Sequence, residues 1–497
     1  VNLIRGWKAK RKDKSEEQEV YLRKKITLVR AISLQIGTII GGGLFISPKG
    51  VLINSGNIGT SLIIWVASGI LSMCGTLSYA ELGTSIKKSG GHYTYLLETL
   101  GPLPAFLELW SEIIIIRPAN SAVISLAFGR YIIEPFFAPC EAPVLAIKLV
   151  TAVGVSLVVF LNCWSVSWTF RTQTILMYAK LVTIGLIIIP GMIALAQGHS
   201  DNFQNAFDSS SITLDRIPLA FYSGMYAYSG WFYITFVTEE VVNPERNIPL
   251  AAIFSLTLVT VLYLFTNMAY YTVLTADEVL ASPAVAMTFG SHVLKEFSSV
   301  ISILVALACV GTLNGGMFAS TRVLFVASRE NQWPVLFSMI HVRNHVPLPA
   351  VLLLYPLIML MIFIGDLYDL LNFYSFPNWL FMGLVTFGLI RHRYKHPNLP
   401  RPFKVPIIFP VIFTVVCLFI VTMSLYSDPF NTGVGCALTL SGVPVYYLTV
   451  HRSQTPACCR RAFCEYIGQC HALCERTGCV KQVQGYSEIN QFSTSCS

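Results

Sequence analysis

Long apolar runs separated by short polar connections recur along most of the chain. A helix needs about 20 mostly apolar residues to cross a bilayer, and twelve such runs can be placed on the sequence. They lie near residues 26–52, 58–84, 103–135, 143–163, 170–196, 215–238, 249–274, 298–326, 348–365, 370–392, 406–426 and 430–450. Lipid offers the backbone no hydrogen bonds, so spans must be helices or closed barrels, and barrel strands alternate over about ten residues. The pattern predicts an all-α membrane protein with twelve transmembrane helices.

The polar segments outside these runs divide the chain into three parts. Residues 1–25 form a basic N-terminal tail, residues 26–452 a transmembrane domain, and residues 453–497 a cysteine-rich C-terminal tail. The first part contains no apolar stretch, so no cleavable signal peptide is expected.

The composition excludes a string of soluble domains. Hydrophobic residues make up 54% of the 497 residues and charged residues only 12%, whereas soluble domains carry about 25% charged residues. The net charge of +8 is explained by basic residues in cytosolic loops, so no nucleic-acid partner is expected.

The basic residues are unevenly distributed between the two sides of the predicted membrane. One side carries Arg23, Lys24, Lys25, Lys87, Lys88, Arg246, Arg329, Arg343, Arg391, Arg393, Lys395, Arg401, Lys404, Arg460 and Arg461. The other side carries mainly Arg130, Lys148, Arg216 and Lys295. Because basic loops remain cytosolic, both termini are predicted to be cytosolic.

The same orientation places Cys140 in the outer loop between the third and fourth spans. It is the one cysteine clearly in the oxidising compartment, and no partner within the chain is evident. An intermolecular disulfide and a free thiol both remain open from the residues alone. The tail cysteines, from Cys458 to Cys496, lack the paired Cys-x-x-Cys spacing of a zinc site, so reduced thiols or palmitoylation are expected there and no metal.

Two predicted spans are interrupted by small residues in their middle. The first reads Gly37-Thr38-Ile39-Ile40-Gly41-Gly42-Gly43-Leu44-Phe45, and the sixth reads Tyr222-Ser223-Gly224-Met225-Tyr226-Ala227-Tyr228-Ser229-Gly230-Trp231. Glycine also serves close packing between membrane helices, but a matched pair of breaks five spans apart favours an inverted-repeat transporter with a midplane site. Amides of the first break can hold a carboxylate, and carbonyls of the sixth can hold an ammonium group.

Two basic residues, Arg117 and Lys180, lie deep within predicted spans. Intramembrane charges are costly and therefore mark candidate functional residues. Glu112 is a possible structural partner for a basic group, but its spacing of five from Arg117 is unfavourable on an α-helix. An ammonium of Lys180 beside the broken first helix would occupy the place of a sodium ion; the alternative is snorkelling to the interface.

Several segments resemble the light subunits of heteromeric amino-acid transporters, within the amino acid–polyamine–organocation superfamily. The resemblance covers about residues 20–452 and is carried by residues 37–48, 78–83, 116–119, 238–244 and 338–341. Segments 87–95, 126–131 and 165–168 are most similar to those of the cystine/glutamate exchangers.

This resemblance implies a fold of twelve helices with five-plus-five inverted repeats (LeuT-like), in which helices one and six are broken. It implies sodium-independent antiport at the plasma membrane by alternating access, with extracellular cystine exchanged for intracellular glutamate. It also implies a heterodimer with a single-span glycoprotein heavy chain, joined by a disulfide at Cys140. No cofactor is implied.

The resemblance also assigns site residues. Ile39, Gly41, Gly42 and Gly43 are expected to contact the substrate carboxylate, and Tyr226, Ala227 and Ser229 its amino group, with Tyr226 as a gate. Arg117, Lys180, Cys309, Thr312 and Asn314 match family positions near the site. Two positions depart from the cystine/glutamate exchangers, which have serine at the position of Thr312 and arginine at the position of Asn378. Asparagine there is typical of exchangers of large neutral amino acids, which are the alternative.

Other classes of protein fit the sequence less well. No nucleophile elbow, metal-binding helix motif or phosphate loop indicates an enzyme. A channel would show a continuous pore or a charged ring. A membrane receptor or scaffold would bind without flux.

Overall fold

The computed structural model describes residues 26–86, 90–137, 140, 142–164, 166–204, 206–207, 216–295, 298–329, 332–341, 346–450 and 480–482. The two predicted tails lie outside these residues, except for 480–482 in the second. Lys87 and Lys88 also lie outside the described residues.

Helices account for nearly all of the described chain. In order, they are α1 Leu28–Ile39, α2 Gly43–Ser55, α3 Ile58–Ser85, α4 Gly91–Thr99, α5 Pro102–Ser111, α6 Arg117–Phe137, α7 Val144–Trp164, α8 Val166–Ala196, α9 Ile217–Ala227, α10 Pro244–Val273, α11 Ala276–Ala281, α12 Val285–Val293, α13 Ser298–Arg329, α14 Leu348–Ile364, α15 Leu367–Lys395, α16 Ile408–Ser427, α17 Pro429–Leu440 and α18 Gly442–Thr449. A π-helix, Glu112–Ile116, joins α5 to α6, and 3-10 helices span Asp201–Phe203, Tyr233–Glu240 and Val335–Ser338.

Membrane-spanning helices confirm the predicted class of protein. Eight helices of the described chain are long and apolar enough to cross a bilayer, and α1 with α2, bent by 47°, forms a ninth candidate. The predicted number was twelve. The other three predicted spans fall short because α14 has 17 residues, α9 is followed by a 3-10 helix, and the last is divided between α17 and α18.

The spans differ in how much of their surface the protein covers. In the most apolar part of Pro102–Phe137, 83% of residues are buried, and in that of Asp369–Lys395, 78%. The corresponding shares for Val144–Trp164 and Arg171–Ala196 are only 33% and 28%. The first pair therefore forms the centre of the bundle, whereas the second pair presents apolar side chains to lipid.

A buried ion pair joins the predicted cytosolic ends of two spans. Glu81, near the end of α3, is fully buried and pairs with both Nε and Nη2 of Arg393 in α15. The same carboxylate accepts a hydrogen bond from the amide of Val405, at 2.9 Å. Because a buried charge is costly without a partner, this arrangement fixes α15 and the segment before α16 against α3.

Two short backbone pairings lie beside the helices. Strand β1, Met339–His341, pairs antiparallel with β2, Val480–Gln482, in the tail. Ile26 forms an isolated parallel bridge with Val241, which ties the start of the first span to the end of the sixth.

Candidate functional site

The first span is broken at the predicted position. Helix α1 ends at Ile39, Ile40 has an extended backbone (φ −69°, ψ 98°), and α2 begins at Gly43. The first amides of a helix have no partner within it, and they lie at the positive end of the helix dipole. The start of α2 is therefore suited to a carboxylate.

Glycine is required at this break because two other spans approach it closely. A Cβ atom on Gly41 would lie 2.6 Å from Oγ1 of Thr312, and one on Gly43 would lie 2.8 Å from Cα of Ala227. A Cβ atom on Gly42 would lie 3.0 Å from Sγ of Cys309. These glycines therefore permit close packing, which brings the sixth and eighth spans to the break.

The sixth span is also broken, five residues after Tyr222. Helix α9 ends at Ala227, Gly230 has a positive φ of 110°, and a 3-10 helix begins at Tyr233. A side chain at Gly230 would meet the carbonyl of Thr38, 2.9 Å from its Cβ. The two interrupted segments therefore lie against each other.

Tyr263 of α10 connects the two breaks directly. Its buried hydroxyl lies 2.8 Å from the carbonyl oxygen of Ile39 and 2.9 Å from that of Ala227. Both carbonyls end a helix and therefore lack a helical partner. No sequence pattern indicates this role, because a single tyrosine in an apolar span resembles a packing residue.

Lys180 lies beside the first break, as expected, and not at the membrane interface. Its side chain is 1% exposed, and Nζ donates hydrogen bonds to the carbonyl of Gly37 and to Oγ1 of Thr312, both at 3.1 Å. A fixed positive charge is thus bonded to the last turn of α1 and to the eighth span.

Arg117 is engaged by a carboxylate, contrary to the argument from spacing. Its guanidinium bonds to Glu112 and to the hydroxyl of Tyr233, and it lies over the rings of Tyr233 and Phe236, at 5.2 and 5.9 Å from their centres. The intervening residues form a π-helix, in which hydrogen bonds join residues five apart. A spacing of five, unfavourable on an α-helix, therefore aligns Glu112 with Arg117.

The predicted gate residue, Tyr226, is buried at the end of α9. Its hydroxyl has no hydrogen-bond partner among the described residues, and its ring packs edge-on against Tyr374, with centres 6.0 Å apart. Buried hydroxyls normally have a partner, so this one is suited to a polar ligand. The amide of Ser229 donates to the carbonyl of Tyr226, so the segment turns back on itself.

Asn378 lies on α15, one turn after Tyr374 and therefore on the same helix face. Its side chain is 7% exposed, and it forms no hydrogen bond within the described ranges. It thus lies on the side of α15 that faces Tyr226. Asn314, by contrast, bonds to Asn162, Thr169 and Gln173, so it joins the fourth, fifth and eighth spans.

Cys140 lies after the end of α6, with its side chain exposed and its thiol free. Its amide donates to the carbonyl of Phe137 at 2.8 Å. The position is accessible to another chain.

A family model for amino acid permeases matches residues 26–448. The chain belongs to the amino acid permease family. It is similar to the cystine/glutamate transporter of Homo sapiens, with 57% identity over 90% of this chain and 89% of the relative. It is also similar to the large neutral amino acids transporter small subunit 2 of Mus musculus, with 42% identity over 88% of this chain and 83% of the relative. The b(0,+)-type amino acid transporter 1 of Homo sapiens is 42% identical over 88% of this chain and 90% of its own.

The family and the geometry agree on the class of protein. The chain is a multi-span membrane transporter of amino acids and not an enzyme.

Proposed function

We propose that the chain is the light subunit of a heterodimeric antiporter that exchanges extracellular cystine for intracellular glutamate without sodium. The contact between the two broken spans carries the proposal, because it places a helix N-terminus and helix-ending carbonyls around one point. At this contact Gly43 approaches Ala227, and Tyr263 holds both helix ends.

Each end of an α-amino acid has a complementary group at this contact. The start of α2, with Ile39, Gly41, Gly42 and Gly43 around it, binds the carboxylate through backbone amides. Carbonyl oxygens of the sixth span at Tyr226 and Ala227 accept hydrogen bonds from the ammonium group, with Ser229 beside them. The unpartnered hydroxyl of Tyr226 then closes over the substrate as a gate.

Lys180 explains why transport needs no sodium gradient. Its Nζ occupies a position 3.1 Å from the carbonyl of Gly37 and from the hydroxyl of Thr312, which are oxygen ligands of the kind that a sodium ion uses. The ammonium, fixed to the fifth span, supplies a positive charge in place of that ion. Binding of substrate is therefore independent of a second ion.

The transport cycle is alternating access about the two broken spans in a twelve-helix fold of five-plus-five inverted repeats. The chain lies in the plasma membrane with both termini in the cytosol. Cys140, exposed near the outer end of α6, forms the disulfide with a single-span glycoprotein heavy chain.

The identity of the substrate rests on the 57% identical cystine/glutamate transporters. Asn378 favours the second candidate, large neutral amino acids, because it replaces an expected arginine with a neutral side chain on the helix face toward Tyr226. An amide cannot supply the charge and bidentate geometry with which arginine binds a distal carboxylate.

The test is uptake of labelled L-glutamate and L-leucine in sodium-free medium, in cells that express the chain with a heavy chain and are preloaded with amino acid. Glutamate uptake that cystine competes for supports the proposal. Leucine uptake without glutamate uptake would replace it with the neutral exchanger.

A further inference from the structure

A cavity outside the central site opens near the outer ends of α6, α7 and α15. It has a volume of about 380 Å³ and is lined by Leu126, Arg130, Val144, Ile147, Lys148, Asp366, Leu367 and Asp369. Small-molecule sites have volumes from about 300 Å³ upward. The cavity is therefore of a size that suits an amino acid.

A second, narrow cavity lies beside this one and borders the second half of the broken first span. Its volume is about 20 Å³, and Arg130 and Leu367 line both cavities. Its other lining residues include Phe45 and Ile46 of α2, together with Lys49. A volume of this size holds about one water molecule, so the second cavity is a narrow space between the outer chamber and α2.

Three basic and two acidic residues line the two cavities. Lys49, Arg130 and Lys148 stand against Asp366 and Asp369. Lys148 lies 3.9 Å from Asp366 and donates to the carbonyl of Phe363 at 3.1 Å. Lys49 donates to the carbonyl of Ser282 at 3.0 Å. The side chain of Asp366 is 76% exposed, so solvent weakens its field within the chamber.

Arg130 differs from the other two basic residues. Its guanidinium forms no hydrogen bond or ion pair with any residue that the structure describes, although the side chain is half-buried and lines both cavities. A guanidinium offers a planar fork of donors that matches a carboxylate. An arginine left without a partner at the neck of a chamber is suited to an anionic ligand.

We propose that this chamber is an outer subsite for anionic amino acids, in which Arg130 binds a carboxylate of the incoming substrate before it passes Phe45 to the broken helices. The proposal rests on the exchange of anionic amino acids proposed above, and it adds a place where their charge is selected. The positive charge absent at Asn378 is then supplied at the entrance, where it also raises the local concentration of anions.

The subsite acts from one side of the membrane, and this gives a test that a merely structural role would not pass. In the heterodimer, Arg130→Gln should raise KM for external glutamate roughly five- to tenfold, the effect of losing one partly exposed charge-assisted contact. The maximal rate per surface copy and KM for internal glutamate should remain within about twofold of the wild type. Arg130→Lys should give an intermediate external KM.

Two further variants control for charge and for folding. Arg216→Gln removes an exposed basic residue that does not line the cavities, and it should leave external KM unchanged. Asp369→Asn removes a lining carboxylate and should lower external KM, which tests the chamber even if an Arg130 variant fails to reach the surface.

Each outcome decides between the two proposals. Wild-type external KM in Arg130→Gln, with glutamate exchange intact, would overturn the subsite and leave the exchanger standing. A parallel rise in internal and external KM would also overturn it, because the residue would then act on the central site or the fold. A wild type that moves leucine but no glutamate would overturn both.

Discussion

Because Glu112 and Arg117 form a buried ion pair, variants of the pair can distinguish an effect on transport from an effect on stability. Arg117→Ala removes the guanidinium and leaves the Glu112 carboxylate, whose side chain is 4% exposed, without its cation. Breaking such a pair by removing one partner costs about 3–5 kcal/mol, a large part of the about 5–15 kcal/mol that stabilises a typical protein. The single variant should therefore fold poorly, and lost uptake in it would say little about function.

Replacing both residues avoids this difficulty. Glu112→Gln with Arg117→Leu removes both charges of the pair, so most of the lost stability should return. Replacing a whole buried pair with uncharged side chains is often neutral. If Arg117 contributes positive charge to the substrate site, the double variant should reach the surface and still transport glutamate poorly.

The assay combines surface biotinylation, thermal unfolding of the detergent-solubilised heterodimer, and sodium-free glutamate uptake per surface copy. We expect Arg117→Ala to lower the melting temperature and the surface level, and the double variant to restore both without restoring uptake. Wild-type glutamate uptake by the double variant would refute a role for Arg117 in transport. An unchanged melting temperature in Arg117→Ala would refute the reasoning about the buried pair.

Three further predictions concern the contacts at the breaks and the outer loop. Lys180→Met removes the hydrogen-bond donor to the carbonyl of Gly37 and the hydroxyl of Thr312. It should reduce uptake at least tenfold, because charge-assisted hydrogen bonds contribute about 1.5–3 kcal/mol each. Wild-type uptake at an equal surface level would contradict this. Tyr263→Phe leaves two helix-ending carbonyls without their partner and should raise KM several-fold. The control variant Tyr271→Phe loses only a contact with Ser61 and should leave KM unchanged. Equal kinetic effects of the two variants would show that Tyr263 has no special role. Cys140→Ser should abolish the high-mass band of the heterodimer on non-reducing gels, and a persistent band would mean that another cysteine pairs.

The sequence predicted the two breaks and the position of Lys180 because each has a strong local signal. Three consecutive glycines are poor helix formers, and a lysine with apolar neighbours on both sides must find a buried partner. These signals depend on neighbours in sequence, so they can be recognised without knowledge of how the helices pack.

The remaining contacts depend on geometry that a sequence does not reveal. The π-helix that aligns Glu112 with Arg117 adds one residue to a turn, and nothing in the run of four isoleucines, residues 113–116, indicates it. Tyr263 reaches the breaks from a distant span, and Asn314 turns to the fourth and fifth spans. The sequence indicates Arg130 only as an outer basic residue, because a cavity is a property of the packed helices.

In the proposed mechanism, two broken spans bind an amino acid for exchange without sodium. The most direct measurement is entry of labelled cystine into liposomes containing the purified heterodimer, in sodium-free buffer, with glutamate inside or with no amino acid inside. Sodium-independent exchange predicts entry only into glutamate-loaded liposomes, at a rate that added sodium does not change. Equal entry into empty liposomes, or entry that requires a sodium gradient, would contradict it.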